Sequence, residues 1–110
     1  METAQQKQDY TEIVNTIYQQ IRCMDRWAFG AWGAKDFKRI GKSLHFAVNG
    51  AKFRRGYIEV EYDYGTDAYN VKTYRKYDNK VVYGKIVSGI YFDQLVKIID
   101  RLIERGADVE

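Results

Sequence analysis

One cysteine and one histidine, Cys23 and His45, are the only thiol and imidazole in the chain. A structural zinc site needs four Cys or His ligands and a helical two-histidine site needs two, so neither can be built. Nucleophilic catalysis needs a nucleophile held against a base. Cys23 falls at the end of an apolar helical pattern and reads as a small core residue. His45 alternates away from the apolar side of its segment and reads as a surface histidine. Carboxylates are the other candidates. Asp63 and Asp67 flank a turn and could between them hold a magnesium ion, although turn acids are ordinarily solvated. Glu59 and Glu61 are the acid–base candidates, but their strand pattern exposes them beside lysine partners. Gly30, Gly33 and Gly41 spell neither G-x-x-x-x-G-K-[ST] nor G-x-G-x-x-G, so no phosphate loop is formed. The expectation is a protein that is not an enzyme and takes no metal or cofactor.

Charge offers a different kind of chemistry. The net charge of +3 is too small to imply nucleic acid, but its distribution is blocked. Residues 35–55 hold seven Lys or Arg against Asp36, residues 56–70 hold four acids and no base, and residues 71–85 return to five bases against Asp78. In an up-and-down meander the loop "KFRRG" (52–56) and the turn "YRKYDNK" (74–80) lie at the same end of the sheet. Lys52, Arg54, Arg55, Arg75, Lys76 and Lys80 then converge, with Tyr57, Tyr74, Tyr77 and Tyr83 nearby. Such a surface neutralises phosphates and stacks bases. Its plainer reading is a charged rim that keeps hairpin tips soluble and blunts sheet edges. Phe53, between basic residues, is either an exposed contact anchor or a buried pin for its loop.

The elements that must position these residues follow from periodicity. The length of 110 residues suits one α+β domain over 1–110, with residues 1–8 as a flexible N-terminus. "DYTEIVNTIYQQIRCM" (9–24) spaces Tyr10, Ile13, Val14, Ile17, Tyr18, Ile21 and Met24 along one helical face, with Asp9 or Thr11 as N-cap. "YFDQLVKIIDRLIER" (91–105) repeats the pattern through Phe92, Leu95, Val96, Ile99, Leu102 and Ile103, and Gly106 stands where a C-cap belongs. Between them the period falls to two. "SLHFAV" (43–48), "YIEVEYDY" (57–64), "AYNVKTYRKY" (68–77) and "KVVYGKIV" (80–87) read as antiparallel strands. "RWAFGAW" (26–32) reads as a further strand that buries Trp27 and Phe29, with 33–42 as its connection onward. Setting Tyr64 opposite Tyr69 puts Tyr62 against Val71, Val60 against Thr73, Glu61 against Lys72 and Glu59 against Tyr74, all sensible pairs. The predicted fold is an N-terminal helix, a meander of four or five antiparallel strands and a C-terminal helix, with both helices on one face.

Proline is absent, so sheet edges must be blunted by other means. No apolar run approaches the length of a membrane span, and "METAQQKQDY" lacks the pattern of a signal peptide. A lone cysteine fits a reducing cytoplasm.

The order "WGAKDF", "LHFAV", "RRGYIEVEY", "YNVKTYRK" and "GIYFDQLVKII" resembles a group of small phage and mobile-element proteins. These carry a "TGAKNF"-like turn and "GVYADQL"-like text opening a final helix. Gly33, Ala34, Lys35 and Phe37 match the turn, and Gly89, Tyr91, Asp93, Gln94 and Leu95 match the helix entry. The resemblance spans residues 15–103. Asp36 departs from the usual Asn, and Trp27 and Trp32 are additions. It implies an accessory protein acting in the cytoplasm of a host bacterium, with a counter-defence role of the anti-CRISPR or anti-restriction kind. Its partner would be a host protein or protein–nucleic-acid complex, with a homodimer possible and no membrane involved. The alternative is a small nucleic-acid-binding protein using the basic, Tyr-bearing sheet end. The turn would set Gly33 at a special backbone angle, present Lys35 and tuck Phe37 into the core.

Overall fold

Val14, Ile17 and Ile21 recur every three or four residues, and they form the fully covered stripe of helix α1 (Ala4–Met24). The computed structural model describes residues 4–50 and 53–105. The helix starts well before residue 9, because "AQQKQ" contains good helix formers and no breaker. Asp9 and Thr11 therefore lie inside it and are not its caps. Cys23 is exposed, contrary to the core position expected. At 100° per residue it falls on the side opposite the buried stripe.

The stretch 26–32 is not a strand. Ala28–Ala31 forms a short helix, α2, with Ala31 N–H donating to Trp27 O and Trp32 N–H to Ala28 O. The burial period is four: Ala28 and Trp32 are buried, and Trp27 is 71 % exposed. Trp32, fully buried, takes the core place expected of Trp27. The helix stops at Gly33, whose φ is +63°. Gly33 N–H donates to Gly30 O and Ala34 N–H to Phe29 O, the paired bonds of a Schellman C-cap. The "GAK" turn is thus a helix stop, and the special angle expected at Gly33 is present.

Five strands follow: β1 (Lys35–Ile40), β2 (Ser43–Val48), β3 (Gly56–Asp63), β4 (Ala68–Tyr77) and β5 (Lys80–Ile90). They form one antiparallel sheet in the order β1-β2-β3-β4-β5. The first strand comes from the stretch expected to be a connection. The β3–β4 register differs from the expected one by two residues: Tyr62 faces Tyr69, Val60 faces Val71 and Glu59 faces Lys72. The pairing closes at Asp63 and Ala68, where Asp63 Oδ1 accepts Gly65 N–H at 2.9 Å. A two-residue shift leaves every side chain on its expected face, because the strand period is two.

After β5 the chain makes a 3₁₀ turn (Phe92–Gln94), helix α3 (Leu95–Asp100) and a π-type turn (Arg101–Arg105). The proposed C-cap Gly106 lies outside the described residues. The core sits between the helices and one face of the sheet. There Ile17, Ile21, Leu95, Ile99 and Ile103 pack with Phe46, Ile58, Val60 and Val71. Trp32 stacks over Phe46 at 6.3 Å, and its indole N–H donates to Asp100 Oδ1 at 3.1 Å. Phe37 is half-exposed, yet its ring meets Tyr18, Phe29 and Phe46 at 5.1–5.4 Å. Both edge strands are irregular. β1 breaks register between Lys35 and Lys38, and β5 breaks it twice against β4, between Tyr69 and Val71 and between Lys72 and Tyr74. Among the described residues no helix is long and apolar enough to cross a membrane.

Four substitutions test this layout by thermal or denaturant unfolding. Ile99→Ala empties a fully buried position and should cost about 2–5 kcal/mol. Trp32→Ala should cost about 3–5 kcal/mol, whereas Trp27→Ala should stay within about 0.5 kcal/mol. Gly33→Val forces a β-branched residue into the left-handed region and should cost about 1–2 kcal/mol.

Candidate functional site

The helices cover only one face of the sheet. On the other face strand alternation places Ser43 and His45 from β2, Tyr57, Glu59 and Glu61 from β3, Lys72, Tyr74 and Lys76 from β4, and Tyr83 from β5. Register makes neighbours of them: His45 faces Glu59, Glu59 faces Lys72, and Tyr74 faces Tyr57 on one side and Tyr83 on the other. Glu59 is the hub. Its Oε2 accepts the Ser43 hydroxyl at 3.1 Å and its Oε1 accepts the Tyr83 hydroxyl at 3.0 Å. Lys72 Nζ lies 3.8 Å from Glu59 and 3.5 Å from Glu61. His45 Nδ1 and the Tyr74 hydroxyl are 2.8 Å apart.

Ser43, His45, Glu59 and Tyr74 are all buried, at 4–7 % exposure, although among the described residues no helix covers them. Longer side chains arch over them instead. Tyr57 stacks on Tyr74 at 5.1 Å and 10°, Tyr83 leans on Tyr74 at 5.6 Å, and Lys76 Nζ sits 4.9 Å over the Tyr57 ring. The result is a cleft of about 400 Å³ whose lining also includes Asp36, Lys38, Ile40 and Val81. The expectations of a surface histidine and an exposed Glu59 are therefore both corrected. Each residue is screened by neighbours on its own face.

Burial holds the His45 imidazole below its ordinary 6.5. Glu59 pulls the other way, and Lys76, Lys72 and Lys38 reinforce the depression. Burial, with the charge of Glu59, pushes the Tyr74 phenol up to about 12, so it keeps its proton. The Tyr74 hydroxyl and His45 Nδ1 share one hydrogen bond, which leaves Nε2 as the ring nitrogen turned toward Glu59. Burial and the hydrogen bond to Glu59 also raise the Tyr83 phenol. Ser43, His45 and Glu59 do not make an acyl-transfer triad, since the Ser43 hydroxyl donates to Glu59 and not to the imidazole. Asp63 and Asp67 are occupied within their turn, by Gly65 N–H and by the Tyr62 hydroxyl. Among the described residues no group of three or more His, Cys, Asp or Glu is placed to hold a metal ion.

The basic end is assembled by the β2–β3 and β4–β5 connections, which a meander places together. Arg54 and Arg55 are exposed in the first, and Arg55 has φ +54°. Lys80 is exposed and pairs with Tyr77 across the second. Arg75 of β4, on the helix-bearing face, stacks its guanidinium 4.6 Å over the Phe53 ring of the first connection, and Lys76, on the open face, lies over Tyr57 of β3. Phe53 itself is 8 % exposed and pins its loop. Its ring occupies the space a Cβ at Gly56 would need, coming within 2.2 Å of that position. Lys52 lies outside the described residues. Among the described residues no carboxylate stands within ion-pair distance of Arg54, Arg55, Arg75, Lys76 or Lys80. Lys76 and Tyr57 belong to both surfaces, so basic end and cleft are continuous. The cleft was missed in the sequence because it depends on the β2–β3 register. Aligning the alternating "SLHFAV" on "YIEVEY" would have set His45 opposite Glu59.

No family model, no characterised protein and no solved structure matches the chain.

The depressed His45 gives stability a pH dependence of definite sign. The unfolded chain takes up a proton near pH 6.5 while the folded chain resists it, so the unfolded state binds more protons. Stability should fall as pH drops below about 6.5. Melting curves across that range should show the loss, and His45→Gln should flatten it. A His45 that titrates above 6.5 by NMR would contradict the burial argument.

Proposed function

We propose that this chain is a non-enzymatic binding protein that engages an anionic partner through the basic end of its sheet. The observation carrying this reading is the group Arg54, Arg55, Arg75, Lys76 and Lys80, held at one end with no carboxylate in ion-pair reach among the described residues. Cations left without a paired carboxylate are available to a partner's charge, and they steer its approach. With the phage-protein resemblance, the reading becomes an accessory protein that binds and modulates a host protein complex, in a counter-defence role, through an acidic face of that complex. A second reading is direct nucleic-acid binding. It is favoured by the tyrosines beside these cations, Tyr57 under Lys76 and the exposed Tyr77 facing Lys80.

Capture from host lysate by wild-type protein and by the Arg54→Glu/Arg55→Glu variant, with and without nuclease, tests both readings. A protein captured by wild type, insensitive to nuclease and lost on reversal, is the expected result for the first. For the second, purified duplex DNA should bind with a log–log salt slope of up to about −4.5 if five phosphates are neutralised. Reversal should flatten that slope. A normally folded double variant that behaves like wild type in both assays would reduce the basic end to a solubilising rim.

A further inference from the structure

The cleft on the open face poses a separate question, because its polar floor is more elaborate than a solvated sheet requires. A wet antiparallel face is ordinarily furnished with exposed polar side chains. Here a carboxylate, an imidazole, a phenol and a hydroxyl are buried together without a covering element. Burying ionisable groups costs free energy unless each is hydrogen-bonded or paired. These are paired, with one opening. His45 Nε2 stops 3.9 Å from Glu59 Oε1, beyond hydrogen-bond reach. The floor therefore offers a ring nitrogen without a hydrogen bond of its own beside a carboxylate that accepts two hydroxyls.

Four ligand classes can be weighed against this lining. A bare anion such as phosphate would meet Glu59 and Asp36. A small cation would meet Lys38 and Lys76. A hydrocarbon would bring no partner for the polar floor. A flat ring whose edge both accepts and donates hydrogen bonds satisfies His45 and Glu59 together. Its faces find Tyr83, half exposed, and the apolar rim of Ile40 and Val81. An anionic substituent on such a ring would reach Lys38 and Lys76, which enter the cleft from β1 and β4. The volume of about 400 Å³ lies within the range of small-ligand sites, about 300–1,000 Å³. We infer that the cleft binds a single nucleotide: the base edge on His45 and Glu59, the ring against Tyr83, the phosphate at Lys38 and Lys76. That chemistry has two sources, a free nucleotide or an unpaired nucleotide within a single strand, which the adjoining basic end could lead into the cleft.

The probes are the four ribonucleoside 5′-monophosphates, a mixed-sequence single-stranded octamer and the same octamer in duplex form, each titrated to millimolar concentration by calorimetry. Saturable binding of a mononucleotide, or of the single strand in clear preference to the duplex, is the expected result. The first identifies a free nucleotide and the second a strand. Tyr83→Ala, at a half-exposed position, should weaken either by about tenfold. Lys38→Ala should weaken it while leaving the melting temperature unchanged. Arg54→Glu/Arg55→Glu should leave mononucleotide binding intact, which separates the cleft from the basic end. No binding of any probe, or equal binding of single strand and duplex that neither cleft variant alters, would overturn the inference. The anionic-partner reading of the basic end would then stand or fall on its own assay.

Discussion

Trp32 is the side chain on which the arrangement of layers depends. It is fully buried, stacked over Phe46 of β2, set edge-to-face against Phe29 of α2, and bonded through its indole N–H to Asp100 of α3. A buried indole must place both its ring and its N–H, so its partners are fixed in direction as well as in distance. One residue thereby locks α2 and α3 to the same side of the sheet, where the buried stripe of α1 also lies. With all the helices committed to one face, the opposite face has to solve its own packing and hydrogen bonding.

It does so with a network. Glu59 receives two hydroxyls and stands beside Lys72, which reaches Glu61 as well, and Asn70 donates to Glu61 at 3.2 Å. Each acceptor is engaged through a side chain from another strand, with Tyr83 of β5 reaching Glu59 across β4, so the network also records strand register. Slipping one strand by a residue would send these polar groups into the apolar core and the core residues into water. The tyrosines complete the arrangement, supplying apolar rings over the polar floor while the hydroxyls of Tyr74 and Tyr83 join it.

Fold class was legible because it rests on period, which the sequence displays directly. The apolar stripe of α1 and the alternation of β2, β3 and β4 carry their own signal, and the faces of those strands came out correctly even where the register did not. The failures share a different cause. "RWAFGAW" contains so few residues that a period of two and a period of four fit it almost equally. Only the Schellman bonds around Gly33 and the buried Trp32 decide for the helix. β1 was hidden because all six of its residues are exposed, so no apolar alternation marks it. His45 and Glu59 were placed on the correct face but given the wrong environment. Their burial comes from tyrosines and lysines on three other strands, and local pattern carries no information about such neighbours. The basic end was legible as a cluster because meander topology alone sets which turns meet. The role of Phe53 was not, since only its contacts with Arg75 and Gly56 determine it.

The irregular edges bear on how this molecule can change over time. A sheet that recruits partners by extending its ladder recognises main chain, and main-chain recognition is indifferent to most substitutions. Here β1 carries its break beside Asp36 at φ +56°, and β5 is interrupted twice within eleven residues, one of which, Gly89, has φ +71°. Such bulges twist an edge away from a regular partner strand, and they divide the apolar run "KVVYGKIV" before it can template fibrils. What the edges withhold, the exposed turns still offer, since side chains such as Arg54, Arg55 and Lys80 can be exchanged without disturbing the ladder. Sequence change at those turns is therefore almost free of any cost to folding.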